Sequence, residues 1–200
     1  ILAVHWVTFF YAIQISTVAV GIITYSTFPL FVTFMEPLFF KERLRLFDVC
    51  TGVLIIVGLL LVVPTPDFEN SITRGAFWGV VSGFSFAVLQ LLNRVAVHRS
   101  SAVKIACYQN AVAMAVIFPC LFRVEFSLTP SDIWLLIFLG VFCTALAHAL
   151  FIMSLAKIKT QLASLIACLE SIYGIVLAFL FLGEQPSVRT MAGGLLVLGV

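Results

Sequence analysis

Charge is scarce in this sequence. Only 10% of its 200 residues are Asp, Glu, Lys or Arg, against about 25% in a soluble domain. So few cannot make a water-soluble surface, and the chain reads as an integral membrane protein. The net charge of +2 is too small to draw a nucleic acid. A cleavable signal pattern and an Arg-rich transit segment are both missing. The chain opens inside an apolar run at Ile1 and stops inside another at Val200. It is therefore expected to be a piece of a longer protein, with spans before residue 1 and a last helix cut short. The five cysteines, Cys50, Cys107, Cys120, Cys143 and Cys168, form no C-x-x-C pair, and are expected to be small apolar core residues. His5, His98 and His148 make no H-E-x-x-H set, and neither a Gly-x-Ser-x-Gly elbow nor a phosphate-binding P-loop occurs. A membrane hydrolase or an ATP-driven pump has nothing to stand on, so no enzyme activity, cofactor or metal is expected.

What is present is apolar length. Hydrophobic residues make up 62% of the chain, in eight segments: 1–13, 17–40, 47–63, 75–92, 103–122, 133–156, 160–182 and 188–200. Their length suits helices, and they lack the strict alternation of a membrane barrel strand. The loops at 41–46, 93–104 and 157–159 carry Lys41, Arg43, Arg45, Arg94, Arg99, Lys104, Lys157 and Lys159. The opposite loops carry Arg74, Arg123 and Arg189, together with Asp67, Glu69, Glu125, Asp132 and Glu184. Positive residues accumulate on the cytoplasmic side, which places the first set of loops inside.

One segment organises the rest. Leu162 to Glu184 can cross a bilayer, yet it holds Glu170 near its middle. A charge at that depth costs roughly 2.5–3.5 kcal/mol on insertion scales, so it should face protein or water. Ala163, Ala167, Glu170, Ser171, Gly174 and Ala178 fall within about 100° on a helix of 3.6 residues per turn, and small residues there admit a close neighbour. The stretch has an echo 142 positions earlier. Phe28-Pro29 then lies opposite Glu170-Ser171, Leu38, Phe39 and Glu42 match Leu180, Phe181 and Glu184, and Gly52 and Leu54 match Gly194 and Leu196. With one residue of slip, His5 matches His148. The two copies are five spans apart and must cross the membrane in opposite directions, a plan that puts a substrate site near the midplane between them.

Candidate site residues follow. Glu170 is expected to couple protons or hold a substrate amine, the alternative being a structural hydrogen bond or buried ion pair. His148, on one face with Gly140, Thr144 and Ala147, is a pocket residue or proton partner of Glu170, or else a packed histidine. His5 is its mate. Thr24, Tyr25 and Phe28 would line the opposite wall, and Gln109 or Asn110 would reach in from the fifth segment. Ser82, Ser85 and Gln90 are weaker candidates, since serine can bond its own helix. Glu36 is expected to pair with a cytoplasmic Lys or Arg. Gly75, Gly79, Gly83 and Ala87 recur every four residues as a ridge for close helix contact, and Pro29 should kink the second segment at the level of Glu170.

The stretch HWVTFFYAIQISTVAVGIITYSTFPLFVTFMEPLFFKERL, with the apolar span 47–63 after it, resembles the first EamA repeat of the drug/metabolite transporter superfamily. RGAFWGVVSGFSFAVLQLLNRVAV and TQLASLIACLESIYGIVLAFLFLGE resemble parts of the second. The resemblance implies an all-α membrane protein, a ten-helix bundle of two inverted repeats. About eight of those spans would be present, with spans three to five in residues 1–63 and six to ten in 74–200. It also implies export of small metabolites such as amino acids or drugs across a bacterial inner membrane. The expected partners are a small-molecule solute and the lipid bilayer, with a homodimer left open. A nucleotide-sugar or sugar-phosphate carrier and a non-transporting scaffold remain as alternatives. Many members carry Glu-Pro where this chain has Glu170-Ser171, and without that proline a break in the seventh segment is not expected.

Overall fold

The computed structural model describes residues 1–40, 44, 46–63, 67–123 and 127–199. Lys41, Glu42, Arg43, Arg45, the turn residues 64–66 and Glu125 lie outside the described residues. Among the described residues all regular structure is helical. The elements are α1 (Leu2–Ile15), α2 (Val18–Tyr25), α3 (Phe28–Phe40), α4 (Leu46–Val62), α5 (Ser71–Ala96), α6 (Ala102–Ile117), α7 (Pro130–Phe138), α8 (Ala147–Ser154), α9 (Thr160–Ala167), α10 (Leu169–Leu182) and α11 (Val188–Leu198). A 3-10 stretch, Phe118–Arg123, extends α6, and a π-helical stretch, Leu139–Leu146, joins α7 to α8.

Grouped by continuity, these are the eight expected segments. Five are long and apolar enough to cross a membrane: Val18–Phe40, Ser71–Ala96, Ala102–Phe122, Pro130–Ser154 and Thr160–Leu182. Shorter apolar helices account for the other three. Polar caps set several starts by satisfying the otherwise orphaned first-turn N–H groups. Thr17 accepts from Val20 N at 3.1 Å, and Asn70 from Ile72 N at 2.8 Å. Thr129 and Asp132 cap each other at the head of α7. Gly183 ends α10 with φ +65°, a left-handed turn that costs glycine nothing.

α5 is the hub, packed against α1, α2 and α3, and its small-residue ridge is what lets them in. A Cβ on Gly83 would stand 2.7 Å from the Tyr25 carbonyl oxygen, and one on Gly79 would run into Thr24. Ala87 is fully buried with Phe28, Val32, Leu91 and Cys168. α4 pairs with α11 in the same manner, since a Cβ on Gly58 would lie 2.7 Å from Gly193 O. Arg189, in the first turn of α11, donates from Nε to Leu61 O at 2.7 Å and from Nη2 to Val63 O at 3.1 Å. A cation there satisfies the unpaired carbonyls at the end of α4 and opposes its dipole.

Both long segments that cross at the centre are broken. The first breaks at Ser26–Thr27, where Pro29 has no N–H to give to the Tyr25 carbonyl four residues back. The second breaks at Cys168, although position 171 is serine. The expectation of an unbroken helix is therefore corrected. Ser171 N bonds to Cys168 O at 3.0 Å, a tighter i−3 closure. The break is held from outside: Ser26 and Ser171 share a hydroxyl hydrogen bond of 2.5 Å, and Cys168 Sγ lies 3.7 Å from Ser26 O.

The cysteine expectation is also corrected. Cys50, Cys107, Cys120 and Cys143 are exposed, and only Cys168 is buried. Lipid tails are as apolar as a protein core, so an apolar side chain in such a chain has no need to turn inward. The face proposed for His148 changes too. Gly140 has nothing within 4 Å of where a Cβ would sit, and Ala147 is exposed, because the π-helical stretch alters the phase of the helix.

Candidate functional site

Tyr25, the last residue of α2, is the centre of a mixed aromatic and polar cluster. Its ring meets His5 at 5.3 Å, Phe9 at 5.2 Å, Phe28 at 5.0 Å and Phe86 at 5.5 Å between centroids. His5 stacks on Phe86 at 4.7 Å, and Phe86 reaches Phe151 of α8 at 5.9 Å. Three helices, α1, α5 and α8, and the broken α2–α3 junction thus supply one wall of packed rings. Edge-to-face and tilted ring pairs of this kind add to simple area burial.

The polar groups are ordered by hydrogen bonds. His5 is buried, and its Nδ1 lies 2.8 Å from Ser82 Oγ. Ser82 Oγ donates its single proton to the His5 carbonyl at 3.0 Å, so Nδ1 must be the donor in the other contact. That leaves Nε2 of a neutral His5 ring as an acceptor. A second chain runs through α8, α6 and α5. His148 Nε2 donates to Gln109 Oε1 at 2.8 Å, and Gln109 Nε2 donates to Asn93 Oδ1 at 2.6 Å. Here Nδ1 of His148 is the acceptor.

Glu170 is placed differently from expectation. The packed face of α9 and α10 is Ala163, Ser164, Cys168, Ser171 and Ala178. Glu170 stands at the edge of that face and is exposed. Gly174, one turn on, lets α10 close on Ile22, which sets the Glu170 edge beside the Tyr25 side of α2. The carboxylate therefore borders the cluster.

The structure brings together Glu170, His148, His5, Tyr25, Phe28 and Gln109. It sets Thr24 apart: that side chain is fully buried, bonded to Val20 O at 2.7 Å and wedged against Gly79. Asn110 is half-buried next to Gln109, and its Oδ1 has no hydrogen-bond partner among the described residues. Asn93, Phe9, Phe86 and Phe151 were not singled out from the sequence. Asn93 had a usable signal, an amide one turn after Gln90 in the apolar run before Arg94. The phenylalanines had none, in a chain with 20 of them. Glu36 pairs with Arg94, as expected.

The geometry describes a wall of aromatic faces with two imidazoles and a bordering carboxylate, and the named side chains of the cluster include no Lys or Arg. Residues 1–63 and 73–200 match the EamA-like transporter family. The chain is similar to an uncharacterized transporter of Archaeoglobus fulgidus, 28% identical over 187 residues, covering 94% of this chain and 67% of that protein. It is also similar to an uncharacterized transporter of Bacillus subtilis, 23% identical over 197 residues, covering 96% of this chain and 63% of that one. The chain thus spans about two thirds of the length of these relatives. One solved crystal structure superposes with a TM-score of 0.73 over 99% of this chain and 70% of its own, at 15% identity, a likeness of fold.

Proposed function

The chain belongs to the EamA-like transporter family, a membrane transporter family, and on that premise we propose that it carries small metabolites such as amino acids or drugs out of the cell by alternating access, driven by protons. The whole protein in this reading is a ten-helix bundle of two inverted five-helix repeats in a bacterial inner membrane. Residues 1–63 supply spans three to five and 74–200 spans six to ten. The observation that carries the proposal is the Tyr25 cluster, lying where two broken helices cross with Glu170 at its edge. Irregular backbone at membrane depth is tolerated where it lines a cavity, and an intramembrane carboxylate marks a substrate or ion path. A carboxylate beside aromatic faces suits an amine on an apolar or aromatic body. A phosphate-bearing solute would want Arg or Lys in that wall, which favours amines over nucleotide sugars.

The test uses the full-length protein in proteoliposomes loaded with a pool of labelled amino acids. Protein-dependent release that grows with an imposed pH gradient is the expected result. Glu170→Gln should abolish release or uncouple it from the gradient while leaving the amount of membrane protein unchanged. Undiminished, gradient-sensitive release by that variant rejects the coupling role. No release of any amino acid redirects the assay to amine drugs.

A further inference from the structure

Two glutamates outside the Tyr25 cluster do parallel work at opposite ends of the crossed helices. Glu36, near the end of α3, is buried at 3% exposure. Its Oε1 accepts from Thr160 N at 2.9 Å and its Oε2 from Gln161 N at 3.1 Å, in the first turn of α9. Glu184, just past α10, accepts from Val18 N at 3.2 Å through Oε2 and from Ala19 N at 3.4 Å through Oε1, in the first turn of α2. First-turn N–H groups have no intrahelical partner and sit at the positive end of the helix dipole, so a carboxylate bridging two of them is well matched.

The gripped residues are related. Val18 and Ala19 become Thr160 and Gln161 on adding 142, the offset of the sequence echo. Ser26 and Cys168, which touch where the two breaks meet, differ by the same 142. Each broken helix therefore starts in the grasp of the other one's far end, and the two run in opposite directions. The accepting carboxylates are not offset mates. The mate of Glu184 is Glu42, and the grip on α9 comes from Glu36, six residues earlier. The same pair of backbone amides is held in both halves by carboxylates reached from different positions. The two grips also differ in strength. Glu36 is ion-paired with Arg94, whose guanidinium lies 4.1 Å from the centre of the Phe40 ring. Glu184 is half-exposed, its bonds are longer, and among the described residues it has no ion-pair partner.

We propose that Glu36 and Glu184 are paired gate latches, positioning residues that hold opposite ends of the crossed α2–α3 and α9–α10 helices shut and release in alternation. The inference rests on the alternating-access reading. The breaks at Ser26–Thr27 and Cys168 are the pivots, because each frees one half of a helix to swing while the other half stays held. Glu184 is the weaker latch, so the end at Val18 opens first, and the Glu36–Arg94 end holds meanwhile.

The test follows a reporter cysteine, Gln109→Cys, in the full-length protein with its other cysteines replaced. A membrane-impermeant thiol reagent is applied to right-side-out and to inside-out vesicles. Glu184→Gln should raise labelling from the Val18 side roughly tenfold, as expected for loss of a hydrogen bond to a charged group, and lower it from the other side. Glu36→Gln should shift the ratio the opposite way, and the double variant should return it toward the parent. A purely structural role would change both sides alike. Shifts of the same sign in both variants, or an unchanged ratio with normal protein levels, overturn the proposal. If Glu36→Gln does not assemble, the one-signed shift of Glu184→Gln still decides. Labelling needs no substrate, and transport is read separately in the protein with Gln109 intact: opposed shifts with no transport there would leave the latches and sink the transport reading, while transport with no shifts would sink the latches alone.

Discussion

Asn93 is the residue on which the ordering of His148 depends. It is 1% exposed, and it ends the chain of amides that fixes which nitrogen of His148 carries the proton. Asn93→Ala leaves the Gln109 amide without its acceptor. We expect a loss of about 1–2 kcal/mol, between the usual value for interhelical bonds in membranes and the cost of an orphaned buried donor, read from thermal unfolding in detergent. Glu36→Ala should cost more, about 3 kcal/mol, because it removes the partner of a largely buried Arg94 along with two backbone acceptor contacts. The order of the two losses is the check. The sequence made Glu36, His148 and Gln109 legible because ionisable and amide groups are costly in apolar helices and must have partners. It did not say which partner each one has. Thr24 is buried and bonded to Val20 O, as was anticipated for the serines: a hydroxyl can satisfy itself on its own helix backbone.

At the scale of elements, glycine separates packed helices from unpacked ones. Gly83→Leu would drive a side chain into the α2 backbone at Tyr25, and overpacking of this kind costs about 1–3 kcal/mol or more. Gly140→Ala, with open space around it, should be neutral or stabilise by up to about 1 kcal/mol, the helix propensity difference. Parallel thermal melts of the two variants test this contrast, and similar melting temperatures would contradict it. The ridge at Gly75, Gly79, Gly83 and Ala87 could be read from spacing alone, and so could the break before Pro29. The break at Cys168 could not. Its cause is the hydrogen bonding of Ser26 to Ser171 and of Cys168 to the Ser26 carbonyl, partners 145 and 142 residues apart.

For the whole molecule, contacts sort the helix ends into two groups. Glu36, Arg94 and Thr160 meet at one end. Ser16 lies against Gly75, and Glu184 against Val18, at the other. The charge bias places the Arg94 end in the cytoplasm. In a cysteine-free background, His98→Cys should therefore react with an impermeant thiol reagent only from the cytoplasmic face, and Phe68→Cys only from outside. The reverse pattern would invert the orientation and, with it, which latch faces the cell.

Membrane residence and the apolar segments were determined by the sequence by itself, and the charge bias supplied the expectation of their sidedness. Each follows from local apolar length and from the placement of a few Lys and Arg residues, and neither needs a partner to be read. The resemblance to two EamA repeats was legible in the same way, from residues in order. Only the tertiary structure decided that Tyr25 gathers His5, Phe9, Phe28 and Phe86, that Glu170 stands at an edge, and that two carboxylates grip helix starts across the crossing. The reason is that a side chain's position along its own helix sets the direction it points. What it meets there depends on how closely glycine-lined helices approach, and that distance belongs to pairs of segments far apart in the chain.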